Sequence, residues 1–372
     1  MRIGFDGTPL LGQRVGIGNY TAHLLGALLH NHPTADYYLY SNRPLDQLEP
    51  ALQRAIPIPG HFPRSRLFWM QFILPRLLRH SIPDLCHYAN ASAPLWPHQQ
   101  PFVLTIHDAS LFLHHHYHPW SRLIAIRALL PALARRAAAI ITVSQQAKAD
   151  LIQALHLPPA KIHVIYEAPP PHFAPSTDPV YLARLRQQYQ LPEKFILYLG
   201  TLEPRKNLAR LVQAIHRLHQ QGCPVRLVMA GPKGWHMNGF QEEIGRLEAD
   251  KLVQYLGYVP TADLPGLYTL ATIFAFPSLY EGFGLPPLEA MACATPVLTS
   301  RNSAMAEVGG DAVYLVNPYA TEELADGLRH LLQDDALREE LGQRGWQRAQ
   351  QFSWQQAAAA TTAVYHHVLH PT

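Results

Sequence analysis

Along this chain, short runs of apolar residues alternate with longer stretches in which apolar positions recur every three or four residues. RIGFDG (2–7) is the first short run, and it leads through a glycine-bearing turn into YTAHLLGALL (20–29). FVLTIHD (102–108), AIITVS (139–144) with the helix-like QQAKADLIQAL behind it, and KIHVIYEA (161–168) continue the series. APPPHFAPSTDP (168–179) then breaks all periodicity and reads as a connection. A second series follows: KFILYLG (194–200), VRLVMAG (225–231), VQYLGYV (253–259), TIFAFPS (272–278), TPVLTS (295–300) and AVYLVNP (312–318). Helical stretches such as NLARLVQAIHRLHQ (207–220) and TEELADGLRHLL (321–332) lie between most of them. Strands apolar on both faces, alternating with amphipathic helices, predict parallel sheets in α/β layers. The proline-rich break predicts two such domains, 1–175 and 185–350, and FSWQQAAAATTAVYHHVLH (352–370) reads as one last helix.

Bulk properties narrow the class. A chain of 372 residues exceeds one ordinary core. With 48% hydrophobic and 15% charged residues it is globular rather than disordered. The net charge of +3 gives no case for nucleic acid as a partner. Twenty-two histidines make the charge climb as pH falls through the imidazole range. Cys86, Cys223 and Cys293 are scattered and form no C-x-x-C pair, so neither a disulfide framework nor a zinc knuckle is expected. The opening MRIGFDGTPL reads as a strand rather than a secretion signal, and no apolar run approaches the ~18 residues a bilayer span needs. A cytoplasmic protein is expected.

In open parallel sheets, ligands bind beyond the carboxyl ends of the strands. The loops there are accordingly where chemistry is expected, in a cleft between the two domains. SLYEGFGLPPLEAMACATPVL (278–298) sets Glu281 on a loop and Glu289 inside a helix that starts near Leu285 or Pro286, because Pro286 and Pro287 fit only a first turn. The backbone N–H groups of Gly282, Phe283, Gly284 and Leu285 then flank the helix N-terminus and can donate to an anion or to sugar hydroxyls. Each carboxylate can accept from vicinal hydroxyls, which makes a ribose and a sugar the expected partners. The plainer reading makes them favourable charges at a helix start. In GTLEPRKN (200–207), Arg205 and Lys206 stand at a strand-to-helix turn with Asn207 placed to cap the helix. Together they form a candidate diphosphate clamp that needs no metal. Gly16 and Gly18 in VGIGNY (15–20) give a compact loop for a phosphate or an acceptor, but they lack the third glycine of a dinucleotide fingerprint, which argues against a nicotinamide oxidoreductase. His107 and Asp108 in TIHDAS (105–110) close a strand at the expected cleft. HHHYH (114–118) has no carboxylate cluster beside it and reads as a polar, aromatic loop rather than a metal site. RSRLFWMQFILPRLLRH (64–80) is apolar and basic, and fits equally a surface helix on anionic lipid and a buried domain helix.

Together, E-G-F-G-L-P-x-L-E-A-M-A, G-T-L-E-P-R-K-N, G-x-G-N-Y and T-x-H-D resemble, in this order, the retaining glycosyltransferases of family 4, and the second is similar to their mannosyltransferase-like branch. The resemblance runs from residue 3 to about 355. It implies the GT-B fold, two Rossmann-like domains with the donor held mainly by the second and the last helix crossing back onto the first. By resemblance, Glu289 binds the ribose, Glu281 the donor sugar, and the amides of 282–285 the sugar hydroxyls or phosphate. Arg205 and Lys206 hold the diphosphate, Gly16 approaches it, and His107 lies beside the transferred sugar. Gly18 and Asp108 fall on the acceptor side, and the nucleobase lies near residues 231–233, Tyr258 and Val259. Many relatives carry an arginine where this chain has Thr201, so Arg205 stands in for it. The branch implies a GDP-mannose donor, with other UDP-sugar enzymes or a non-catalytic sugar-nucleotide-binding protein as alternatives. It also implies a glycan or lipid-linked acceptor, no metal, and possible contact with the inner face of a membrane.

Overall fold

The computed structural model describes residues 1–372 apart from 13, 15, 46–47, 61–64, 82, 96–99, 119, 236–237 and 372, with backbone alone at 81, 120–125 and 238. The chain divides into two compact units. Unit 1 comprises Met1–Glu167 with Ser353–Thr372, and unit 2 comprises Ala168–Phe352.

Unit 1 holds a parallel sheet of β1 (Arg2–Asp6), β2 (Asp36–Ser41), β3 (Ile56–Pro59), β4 (Leu85–Tyr88), β5 (Phe102–Thr105), β6 (Ala139–Thr142) and β7 (Ile162–Val164). The spatial order is β3-β2-β1-β4-β5-β6-β7, so the winding reverses between β1 and β4. The strands β1, β4, β5 and β6 are fully buried along nearly their whole length, as expected of strands covered on both faces. The helical segments Arg66–Phe68, Trp69–Ile73 and Leu74–Ser81 run on from one another, the middle one as a π-turn. Pro75 follows directly. A proline removes one rung of a helix and crowds the carbonyl behind it, and the π-turn is where this helix widens. Trp69, Met70, Leu74 and Leu78 enter the core beside Leu104, Leu130 and Ile140, while Leu67, Phe68 and Phe72 stay exposed. The stretch 64–80 is thus buried on one face and open on the other, with Arg64 outside the described residues.

The last helix, Trp354–Leu369, belongs to unit 1. Ser353 caps it by accepting from the Gln356 N–H at 3.2 Å. It packs along the helix Ile17–Asn31, with Trp354 edge-on to Tyr20 at 5.8 Å. Further along, the Tyr365 hydroxyl lies 2.6 Å from Nδ1 of His87, whose Nε2 is 2.7 Å from the Thr105 hydroxyl. Burial depresses His87 to about 3, with His107 adding to the effect, so the ring is neutral near pH 7. Between the ordinary imidazole value of 6.5 and about 3, the unfolded chain takes up a proton that the folded chain refuses. Stability is therefore expected to rise with pH across that window and to lose this dependence above it. Tyr365→Phe leaves a buried ring nitrogen unsatisfied and is expected to cost about 1–3 kcal/mol. Urea midpoints measured for both proteins at several pH values check this, and an unchanged midpoint for the variant would contradict it.

Unit 2 holds β8 (Phe195–Leu199), β9 (Arg226–Ala230), β10 (Val253–Gly257), β11 (Ile273–Phe276), β12 (Val297–Ser300) and β13 (Tyr314–Val316), all parallel, in the order β10-β9-β8-β11-β12-β13. Its winding reverses between β8 and β11. Phe195, Tyr198, Phe274 and Phe276 fill the middle, with Tyr198 stacked on Phe276 at 5.8 Å. The proline-rich segment leads into the helix Pro179–Gln188, where Asp178 accepts from the N–H groups of Val180 and Tyr181.

The HHHYH loop forms a single 3-10 turn, His115–Tyr117, held by ring contacts such as His116 on Tyr117 at 4.0 Å. Among the described residues no group of three or more His, Cys, Asp or Glu is placed to hold a metal ion. No helix among them is long and apolar enough to cross a membrane.

Candidate active site

The winding of unit 2 reverses between β8 and β11, and at the carboxyl ends of such a pair a doubly wound sheet sends its loops in opposite directions. After β8 the chain makes the 3-10 turn Pro204–Lys206 before the helix Leu208–Gln220. After β11 it makes the loop 277–284 before the helix Leu285–Ala292. The two loops are tied together by the Leu279 N–H donating to the Arg205 carbonyl at 2.8 Å. Asn207 adds to this, but not as the sequence led us to expect. Its side chain does not cap the helix. It adopts a left-handed φ of 62° and donates from Nδ2 to the carbonyls of Pro277 (3.1 Å) and Pro318 (2.7 Å). Asparagine tolerates that backbone region, and so three strand-end loops are fixed by one amide.

The two carboxylates of the signature find their partners within the protein. Glu281 Oε1 accepts from Lys206 Nζ at 2.6 Å, and Oε2 from Arg205 Nη1 at 2.9 Å. These side chains are 11–12% exposed. Burial would raise the Glu281 carboxyl, but Arg205 and then Lys206 overcome it and hold the group at about 2. Burial pulls the Lys206 ammonium below its ordinary value, with Glu281 opposing. Arg205 is caged: Nη1 also donates to the Tyr280 carbonyl at 2.6 Å and Nη2 to Glu203 at 2.6 Å. A freely presented arginine is therefore not what stands at this turn. Arg205 holds Glu281 and the 280–281 backbone in place, while Lys206 Nζ makes one hydrogen bond to a described residue and lies 5.0 Å from the centroid of the Phe276 ring. Glu203, two residues upstream, was not among the sequence-level candidates, although an acid two positions from an arginine in a tight turn is its signal.

Glu289 lies 9% exposed in the following helix and accepts from the buried Tyr268 hydroxyl at 2.9 Å. Gly282, Phe283 and Gly284 are buried, and Phe283 packs edge-on to Phe352 at 6.1 Å, so its side chain anchors the loop. Gly284 is the N-cap of the helix at φ 100°, and a Cβ there would meet Met305 Cγ at 3.0 Å. Leu285 opens the helix. Gly284→Ala is expected to cost about 1–3 kcal/mol through backbone strain and to lower activity with it. Thermal unfolding checks this, and an unshifted midpoint would contradict it. The loops after β9 and β10 also meet: the Gly231 N–H donates to the Gly257 carbonyl at 2.7 Å, and the Tyr255 hydroxyl to the Gly231 carbonyl at 2.7 Å. A crevice of about 200 Å³ beside them is lined by Leu202, Met229, Lys233, Phe240 and Tyr255. Tyr258 is 58% exposed and Val259 is buried, and neither lines it.

The remaining candidates lie in unit 1. Gly16 is the N-cap of the helix Ile17–Asn31. Gly18 belongs to that helix rather than to the expected loop, and a Cβ on it would sit 2.7 Å from the Pro9 carbonyl oxygen, so close packing accounts for it. Val15 is outside the described residues. His107 lies past the end of β5 with both ring nitrogens engaged: Nε2 is 3.1 Å from the Ala89 carbonyl and Nδ1 3.1 Å from Glu167. Burial lowers this imidazole, but the hydrogen bond and charge of Glu167 outweigh it and raise the ring above its ordinary value. A carbonyl only accepts, so Nε2 carries a proton. Asp108 turns back and accepts from the Ser110 N–H at 2.8 Å, so one of its oxygens closes a turn rather than facing a ligand. Glu167 escaped sequence reasoning because its partner is 60 positions away.

Comparison with known proteins agrees with this architecture. Residues 183–348 match the family described as glycosyl transferases group 1, and residues 15–168 match Glycosyltransferase Family 4. Sucrose-phosphate synthase of Thermosynechococcus elongatus shares the fold with a TM-score of 0.78 at 20% identity, covering 100% of both chains. The HepE protein of Anabaena, solved with UDP and glucose, does so with 0.75 at 20% identity over 98% of each. The two family matches, on two Rossmann-like units, make the chain a glycosyltransferase of the GT-B fold. It is 31% identical to the O-antigen chain mannosyltransferase B of Escherichia coli over 98% of its own length and 99% of that protein's. The chain belongs to glycosyltransferase family 4.

Proposed function

We propose that this enzyme is a hexosyltransferase that moves mannose from GDP-mannose to a lipid-linked glycan of the O-antigen kind, with retention of configuration and without a metal ion. The observation that carries the reading is the Lys206 ammonium, buried 2.6 Å from Glu281 at the switch point of the second sheet. The full-length likeness to a mannosyltransferase supports the choice of sugar. As the nucleoside diphosphate departs, negative charge builds on its phosphate oxygens, and the two remaining N–H groups of Lys206 meet it in a site poor in water. Arg205, held by Glu203, keeps Glu281 and its loop in register. Glu281 and Glu289 face the hydroxyls of sugar and ribose, and the 282–285 amides supplement them. His107 keeps its assignment beside the transferred sugar, with its ring fixed by Glu167. The acceptor hydroxyl attacks from the face that the diphosphate leaves and passes its proton to a departing phosphate oxygen. A cytoplasmic location belongs to the same proposal.

A thermal-shift and transfer panel of GDP-, UDP- and ADP-sugars tests it, because a ligand that binds only the folded state at 100 times its Kd stabilises by about 2.7 kcal/mol. GDP-mannose is expected to give the largest shift and to yield an α-linked product in the presence of EDTA. Preference for a UDP-sugar would overturn the donor, and binding without transfer or hydrolysis would overturn catalysis.

A further inference from the structure

The two carboxylates of the second unit are held by different chemistry. Glu281 accepts from two cations, Arg205 and Lys206. Glu289, in the helix Leu285–Ala292, accepts at Oε2 from a neutral group, the Tyr268 hydroxyl, at 2.9 Å. Burial drives the Tyr268 phenol well above its ordinary value, and the charge of Glu289 adds to the effect, so the hydroxyl keeps its proton at neutral pH and stays a donor. A phenol orients a carboxylate without cancelling its charge, and the negative charge remains to strengthen hydrogen bonds from a ligand's hydroxyls.

Tyr268 is itself fixed on several sides. It is fully buried in the helix Leu264–Leu270. Its ring stands edge-on to Phe274 at 5.2 Å and lies 6.0 Å from the ring of Phe173. Its carbonyl accepts from the buried Thr295 hydroxyl at 2.8 Å. Thr295 comes three residues after the helix that carries Glu289. The tyrosine is therefore tied by its hydroxyl to that helix and by its backbone to the segment that follows it. A glutamate side chain ordinarily samples several rotamers and is costly to order. Here one of its oxygens is pinned by a ring that cannot turn away.

We propose that Tyr268 is a positioning residue for the donor nucleotide: by holding Glu289 Oε2 it aims the carboxylate at the 2′- and 3′-hydroxyls of a ribose, and so sets the preference for a ribonucleoside diphosphate over its dideoxy analogue. The inference rests on the reading of Glu289 as the ribose ligand. It is separable from the transferase reading, because a nucleoside diphosphate binds without acceptor and without transfer. Ordering one flexible side chain before the ligand arrives is worth about 3- to 10-fold in affinity.

Calorimetric titration of the full chain with GDP, UDP and the 2′,3′-dideoxy form of each tests it. For the base that binds better, the ribose form is expected to exceed its dideoxy form by at least about 10-fold, since hydrogen bonds to a charged acceptor are lost. Tyr268→Phe keeps the ring in its slot. It is expected to weaken the ribose form about 3- to 10-fold and to leave the dideoxy form unchanged, a selective loss that general loosening would not produce. Glu289→Gln is the second variant. A phenol can donate only to the oxygen of the new amide, which turns the NH₂ group toward the ribose, so most of the preference is expected to vanish. Thermal melts confirm that each variant is folded, and Glu289→Gln decides the matter if Tyr268→Phe is not: loss of the preference supports the proposal and full retention overturns it. Equal weakening of both forms by Tyr268→Phe also overturns it. A preference that Glu289→Gln loses and Tyr268→Phe keeps removes the positioning role alone. Equal binding of ribose and dideoxy forms by the parent chain, or no binding of either diphosphate, removes the ribose reading of Glu289 and this inference with it.

Discussion

Lys206→Ala will lower kcat by a factor of about 10²–10³, the range seen when one preorganised donor to a developing oxyanion is removed. The loss is expected in kcat more than in KM, because the ammonium gains most when the leaving diphosphate acquires charge. The fold is expected to survive. Glu281 keeps its contact with Arg205 Nη1, and Arg205 keeps Glu203 and the Tyr280 carbonyl. Removing the ammonium also relieves its burial, which already pulls it below its ordinary value. Steady-state transfer at saturating donor, alongside a thermal melt, reads both quantities. A kcat within threefold of the parent enzyme would remove Lys206 from the chemistry.

Glu281→Ala is expected to act in the opposite register. Taking the carboxylate away leaves Arg205 and Lys206 facing each other with only Glu203 as counter-charge, in a site where their side chains are 12%, 11% and 5% exposed. Breaking one side of a buried ion pair typically costs about 3–5 kcal/mol. For a unit of this size each kcal/mol moves the melting midpoint by roughly 2–4 °C, so a fall of about 6–20 °C is expected. The double variant Lys206→Ala/Glu281→Ala should recover part of that loss, because the second change removes the orphaned cation. Strict additivity of the two single effects would mean that the contact at 2.6 Å carries no coupling. The pH dependence has a definite sign. Glu281 is held at about 2 against an ordinary 4.5, so its share of stability is complete above 4.5 and is lost as pH falls toward 2.

The second sheet was legible strand by strand, because each of its runs is apolar and bounded by turn residues. The first was legible only in part. β3 reads IPIP, and proline speaks against a strand unless the strand lies at an edge, where this one does. β2, DYYLYS, and β4, LCHY, carry polar atoms that hydrophobic patterning discounts. The site was legible to the level of its loops, since the switch-point rule and the helix-starting prolines locate Lys206 and Glu281 without coordinates. The pairings were not. Tyr268 with Glu289, and Glu167 with His107, join residues 21 and 60 positions apart and leave no local pattern. The caging of Arg205 by Glu203 is local, but whether an acid two residues away turns toward or away from a guanidinium depends on the 3-10 turn at 204–206.

Unit 1 is closed by residues that the ribosome supplies only after the whole of unit 2. The helix Trp354–Leu369 lies along Ile17–Asn31, and its Tyr365 completes the hydrogen bonding of His87. Translation at 5–20 residues per second therefore leaves that seat vacant for about 10–40 s while Ala168–Phe352 is being made. The strands of unit 1 wait for a helix read from the message after all of unit 2, and a nascent chain halted before Trp354 carries a complete unit 2 attached to an incomplete unit 1.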